Sequence, residues 1–128
     1  MWKKSLTTLA TVVLIGVASH ASFAADLKKG KKVFKKCRAC HVVDKEKNKV
    51  GPHLVGLFGR TSGTVEKFKY SKAMKEAAIE WSAETLTEYL KKPKKYVPGT
   101  KMVFAGLKKE EQITDLIAYL QETTKKPE

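Results

Sequence analysis

Apolar positions recur at three- and four-residue spacing in several stretches of this chain, which predicts helices, and no β-strand pairing is evident. From Asp26 to about Ala39 the residues Leu27, Gly30, Val33, Phe34 and Cys37 fall on one face, with Asp26 placed to cap the N-terminus. Gly30 weakens a helix by roughly 1 kcal/mol relative to alanine, so its presence there implies close approach by another helix. A Gly- and Lys-rich loop is expected from Val42 to about Tyr70, with Gly51-Pro52 and Ser62-Gly63 as turns. Ser71 to about Ile79 reads as a short helix, and Ser82 caps another that runs to about Lys91 and is stopped by Pro93. Lys94 to Leu107, with Pro98-Gly99 and Gly106, reads as loop. Glu110 to about Thr123 is the clearest helix. Acids occupy its first turn, and Ile113, Leu116, Ile117 and Leu120 form an apolar stripe beside Tyr119. The tail Lys125 to Glu128 is expected to fray. The fold class is all-α, without internal repeats.

The first residues follow a different logic. Met1-Trp2-Lys3-Lys4 is a charged start, Leu6 to Val17 is apolar but short of the ~20 residues that span a bilayer, and Ser22-Phe23-Ala24 has small residues at −3 and −1 of a cleavage site. Residues 1–24 read as a bacterial secretory signal peptide and 25–128 as one domain, so the expected location is the bacterial periplasm. The formal charge of the whole chain is +13, and loss of Lys3 and Lys4 lowers it by two to +11. That charge predicts salt-sensitive attraction to acidic surfaces. An exported chain without a recognition motif is a poor nucleic-acid binder, which leaves acidic proteins, or passing contact with anionic lipid, as partners.

Candidate chemistry concentrates in Cys37-Arg38-Ala39-Cys40-His41. C-x-x-C-H is the pattern of c-type haem attachment: i, i+3 spacing presents both thiols on one side, where they add to the two vinyl groups, and His41 follows as proximal ligand. Three other readings need parts that can be sought. A thioredoxin-like couple wants a βαβ context, whereas the flanking segment is helical. A Cys2His2 zinc site has the right gap from Cys40 to His53 but lacks the second histidine. A structural disulfide leaves His41 unexplained. A haem edge would also organise the long loops, and a domain of ~100 residues gains apolar contact by wrapping such a group.

An electron-transfer haem needs a second strong ligand. Beyond Met1 the methionines are Met74, inside a short helix where core filling is the ordinary role, and Met102, in an apolar-rich loop 61 positions after His41. That separation lets the chain return on the opposite face of the haem. A thioether raises the reduction potential relative to two imidazoles, and two protein ligands leave no open site for substrate, so the expectation is electron shuttling without enzyme activity. The rival is a haem enzyme or gas-binding module with a labile iron site, in which Met102 is no ligand.

With both ligands placed, the chain closely resembles the class I cytochromes c of the mitochondrial type and their bacterial soluble relatives. The likeness runs from about Gly30 to Leu120, through Gly51-Pro52-His53-Leu54, Gly56-Leu57-Phe58-Gly59-Arg60, Trp81, Tyr89-Leu90, Pro93 to Tyr96, Pro98 to Met102, Phe104-Ala105-Gly106 and Asp115 to Leu120. The resemblance implies the cytochrome c fold, with N- and C-terminal helices crossing through Gly30, Phe34, Leu116 and Tyr119, around one haem c held by Cys37 and Cys40 with His41 and Met102 on iron. It further implies that Pro52 accepts from the His41 ring, that Arg60, Tyr70, Ser71, Trp81 and Thr100 surround the haem propionates, that Tyr89 lies beside the Met102 sulfur, and that Phe104 covers the haem edge. Met74 departs from the family, whose mitochondrial members usually carry asparagine there.

Family positions around the exposed haem edge are basic and here hold Lys32, Lys36, Lys49, Lys94, Lys95, Lys101, Lys108 and Lys109. They imply a docking ring for acidic redox proteins: a quinol-cytochrome c reductase as donor, and a terminal oxidase, reductase or reaction centre as acceptor, met by a diffusible monomer.

Overall fold

Five helices carry residues 24–128, which the computed structural model describes: α1 (Leu27–Phe34), α2 (Lys72–Glu76), α3 (Ala83–Lys91), α4 (Pro93–Tyr96) and α5 (Glu110–Thr123). Among the described residues the only β-type pairing is an isolated bridge between Thr61 and Glu80, and no helix is long and apolar enough to cross a membrane. The leader expected over residues 1–24 lies, apart from Ala24, outside the described residues.

The N- and C-terminal helices cross at Gly30. A Cβ added there would strike the Asp115 carbonyl oxygen and lie 2.7 Å from Tyr119 Cβ, so only glycine lets α1 and α5 approach this closely. The rings of Phe34 and Tyr119 extend the contact, with centroids 5.5 Å apart. Asp26 caps α1 by accepting the Lys28 and Lys29 N–H groups at 2.8 and 3.1 Å. Its own N–H donates at 2.8 Å to Asp115 Oδ1 of α5, which satisfies a buried carboxylate and ties the helix start to the crossing. Ile113, Leu116 and Leu120 of α5 then bury against Val33, Phe34, Leu86 and Leu90. Each such side chain contributes about 1.5–3 kcal/mol of apolar burial.

Besides α2, which stops at Glu76 short of the expected Ile79, two element boundaries differ from the expected ones. The helix expected to reach Ala39 ends at Phe34, because from Lys35 onward the backbone closes three-residue turns: Lys35 to Lys32, Lys36 to Val33 and Cys37 to Phe34, at 3.3, 3.1 and 2.8 Å. The second difference lies at Pro93, which ends α3 but also opens α4, inside a region expected to be loop from Lys94 onward. Proline has no N–H to lose at a first helical position, so one residue performs both tasks. Ser82 does cap α3: its Oγ accepts from Thr85 N–H at 3.2 Å while Thr85 Oγ1 accepts from Ser82 N–H at 2.8 Å.

Backbone hydrogen bonds, rather than elements, organise the long loop. Gly51 N–H donates to Cys40 O at 2.9 Å and Leu54 N–H to Val42 O at 2.8 Å, which folds the loop back on the cysteine segment. Gly59 N–H to Trp81 O, Trp81 N–H to Arg60 O and Ser62 N–H to Ile79 O, all within 2.7–2.9 Å, fasten its far end to the strand-like approach to α3. Each bond satisfies groups that a helix or sheet would otherwise pair.

Candidate haem-binding site

Cys37 and Cys40 lie in a tight turn, with the Cys40 and His41 N–H groups both donating to Cys37 O at 3.0 Å. The thiols are half-buried and unbonded to each other. Burial pushes the Cys37 thiol up to about 11, opposed by the Lys36 charge and helped by Cys40, whereas a thiol of a reactive redox pair has its pKa lowered.

The turn hands the chain to His41, whose orientation is set by the returning loop. Its Nδ1–H donates to the Pro52 carbonyl at 2.7 Å, which fixes the tautomer and leaves the Nε2 lone pair free to bind a metal. Burial is the main influence holding the ring below its ordinary pKa; the Pro52 bond acts in the opposite direction, and the Arg60 and Lys49 charges add to burial. The imidazole is therefore neutral, as a ligand must be. Gly51 is part of the same arrangement: a Cβ on it would sit 2.5 Å from His41 Cε1. Its Gly-Pro sequence signals a turn but carries no sign of this contact with the ring.

Met102 is delivered by a different device. Pro98 and Gly99 fill the centre of a turn closed by Thr100 N–H to Val97 O at 3.1 Å, with Gly99 at φ +91. Beyond it, Met102 N–H donates to Thr100 Oγ1 at 3.3 Å, and the Tyr89 hydroxyl donates to Met102 Sδ at 3.6 Å. Both bonds converge on Met102, one at its backbone and one at its sulfur. Burial raises the Tyr89 pKa, so its phenol keeps the proton it donates. Thr100, expected among the propionate residues, accepts from Met102 N–H and retains its own O–H to donate.

The other expected residues fall as follows. Arg60 is half-buried, with Nη1 donating to the carbonyls of His53 and Val55 at 3.2 Å each, and no carboxylate pairs with it among the described residues. Burial lowers its pKa. The Tyr70 hydroxyl accepts from Val65 N–H at 3.2 Å and Ser71 Oγ from Met74 N–H at 3.0 Å, so each retains its own O–H to donate. Trp81 is buried with its ring centroid 5.0 Å from that of Tyr89. Phe104 is half-buried against the core, while Val103 beside it is exposed. Met74 is buried in the core cluster. The eight docking candidates Lys32, Lys36, Lys49, Lys94, Lys95, Lys101, Lys108 and Lys109 are all exposed, and the four ion pairs among the described residues use other lysines.

These residues fit a haem. Two thiols stand a turn apart, followed by a neutral imidazole with one nitrogen tied back. A thioether and a guanidinium without a carboxylate complete the donor set, and the half-buried apolar residues Val43, Leu54, Phe58 and Phe104 lie against the core.

The sequence profile of the family described as "Cytochrome c" matches residues 27–124. The chain is 61% identical over 103 residues to "Cytochrome c" of Chlamydomonas reinhardtii, covering 79% of this chain and 92% of that protein. It is 57% identical over 103 residues to "Cytochrome c type-1" of Ascaris suum, covering 80% and 92%. Among solved structures it is similar to cytochrome cH from Methylobacterium extorquens, with TM-score 0.72 and 41% identity over 77% of this chain and 99% of that one. With the fold, the attachment sequence and these identities in agreement, the chain belongs to the class I cytochrome c family of haem-c electron carriers.

Proposed function

We propose that this protein is a diffusible one-electron carrier of the bacterial periplasm, running between a membrane quinol-oxidising complex and a terminal oxidase, reductase or photosynthetic acceptor. The observation that carries the reading is the 2.7 Å bond from His41 Nδ1 to Pro52, which leaves Nε2 as the one free donor of a neutral ring placed directly after the thiol turn. Cys37 and Cys40 would hold the haem by thioether bonds, and His41 and Met102 are the side chains that would bind its iron. When bound, the haem supplies a reversible Fe(III)/Fe(II) couple.

The protein's part is to bind, orient and exclude. The Tyr89 hydroxyl holds the Met102 thioether and draws electron density from its sulfur, which favours the reduced state. Arg60, with Tyr70 and Ser71, offers donors to the propionates, offsetting the cost of covering carboxylates. The exposed lysines steer acidic partners into productive encounter and release them quickly. Export rests on the sequence of residues 1–24.

Substituting Met102→Ala tests this ligand set. The wild-type protein should resist carbon monoxide and cyanide, and the variant should bind both; ready binding by the wild type would contradict the closed site.

A further inference from the structure

His53 sits where several connections meet. Its N–H donates to Asn48 Oδ1 at 3.0 Å, and Asn48 Nδ2 donates to the Glu66 carbonyl at 3.0 Å, so this amide pins the loop around His53 to the loop before Tyr70. His53 Nδ1 accepts from Val55 N–H at 3.2 Å. The carbonyls of these same two residues, His53 and Val55, hold Arg60 Nη1. The ring therefore shapes the turn whose backbone cradles the guanidinium.

Accepting at Nδ1 requires the neutral ring, with its proton on Nε2. A protonated ring carries N–H groups at both nitrogens and cannot accept from Val55. Proton uptake would thus open the turn and set a second positive charge beside Arg60. Burial and then Arg60 hold His53 below its ordinary pKa, while Glu46 acts in the opposite direction. His53 lines an open groove of about 1000 Å³ whose charged lining includes Glu46, Glu66, Glu122, Lys125 and Lys126 besides Arg60. Lys125 and Glu122 pair at 3.1 Å. Protons reach this site from solvent.

We propose that His53 is a pH-sensitive positioning residue for Arg60, linking proton uptake in mildly acid solution to the electron affinity of the site. This rests on the reading that Arg60 serves the haem propionates. Added positive charge favours the electron, so the reduction potential should rise as pH falls through the His53 pKa, which burial holds below the ordinary histidine range. Linkage is reciprocal: His53 should hold its proton more tightly in the reduced protein, by about twofold in proton affinity or more.

The test uses the haem-loaded protein. NMR titration gives the His53 pKa in both oxidation states, and potentiometry gives potential against pH for the wild type and the variants His53→Asn, His53→Ala and Arg60→Gln. Asparagine also accepts from the N–H two residues on but does not titrate. His53→Asn should keep the neutral-pH potential and lose the acid step, whereas His53→Ala should shift the potential at every pH. A step that persists in His53→Asn, or one His53 pKa in both oxidation states, overturns the proposal while Arg60→Gln still moves the potential. An Arg60→Gln potential equal to wild type at every pH would overturn the propionate reading and the proposal together.

Discussion

The Tyr89 hydroxyl donates to the Met102 sulfur across 3.6 Å, from a phenol that burial keeps protonated. Tyr89→Phe removes this donor at nearly constant volume and leaves the sulfur richer in electrons, a better ligand for the oxidised metal. The reduction potential should fall by an amount equivalent to about 0.5–1.5 kcal/mol, which is some tens of millivolts for one electron. Potentiometric titration checks this; an unchanged or raised potential would show that the bond does not tune the couple.

The α1–α5 crossing makes a stability prediction in which two effects oppose. Gly30→Ala gains roughly 1 kcal/mol in helix propensity. It also drives a methyl into the Asp115 carbonyl and against Tyr119 Cβ, and a backbone carbonyl on a buried helix cannot give way cheaply. Overpacking should prevail, for a net loss of about 1–3 kcal/mol measured by the denaturant midpoint. A variant as stable as the wild type would mean that the helices part at little cost.

That crossing was legible because a glycine inside an otherwise good helix pattern needs a reason, and the reason names a neighbour. The Ser82 cap and α5 were legible on similar local grounds, and C-x-x-C-H with the later Met102 marked out the candidate site. The end of α1 was not, because apolar spacing does not distinguish three-residue from four-residue turns, and Cys37 keeps its face under either. Pro93 reads as a stop and hides its second use as a start. Nothing local marks Asn48 or the carbonyls of His53 and Val55, since their roles arise only when loops far apart in sequence close on one another.

Ala78 follows the last residues of α2 with φ +49, the left-handed conformation that glycine usually takes after a helix. A Cβ there costs about 1–2 kcal/mol, against which glycine's extra freedom in the unfolded chain returns part. Ala78→Gly should therefore stabilise the protein by about 0.5–1 kcal/mol, visible as a higher melting temperature. Destabilisation would show that the Ala78 methyl makes contacts worth more than the strain.

The eight exposed lysines of the proposed ring take part in none of the ion pairs of the described residues, so their charge is available to a partner. The second-order rate of electron transfer to an acidic redox protein should fall about tenfold or more between low and physiological ionic strength. Stopped-flow mixing across a salt series measures it. A rate independent of salt would remove electrostatic docking from the account.

The absorption spectrum of the purified protein, oxidised and reduced, and again after denaturation and organic extraction of loose haem, tests the central claim most directly. Haem that stays with the polypeptide, together with a weak far-red thioether-to-iron band in the oxidised native form, is the result predicted for Cys37 and Cys40 attachment with His41 and Met102 ligation. Haem that extracts freely, or covalent haem without that band, would contradict it.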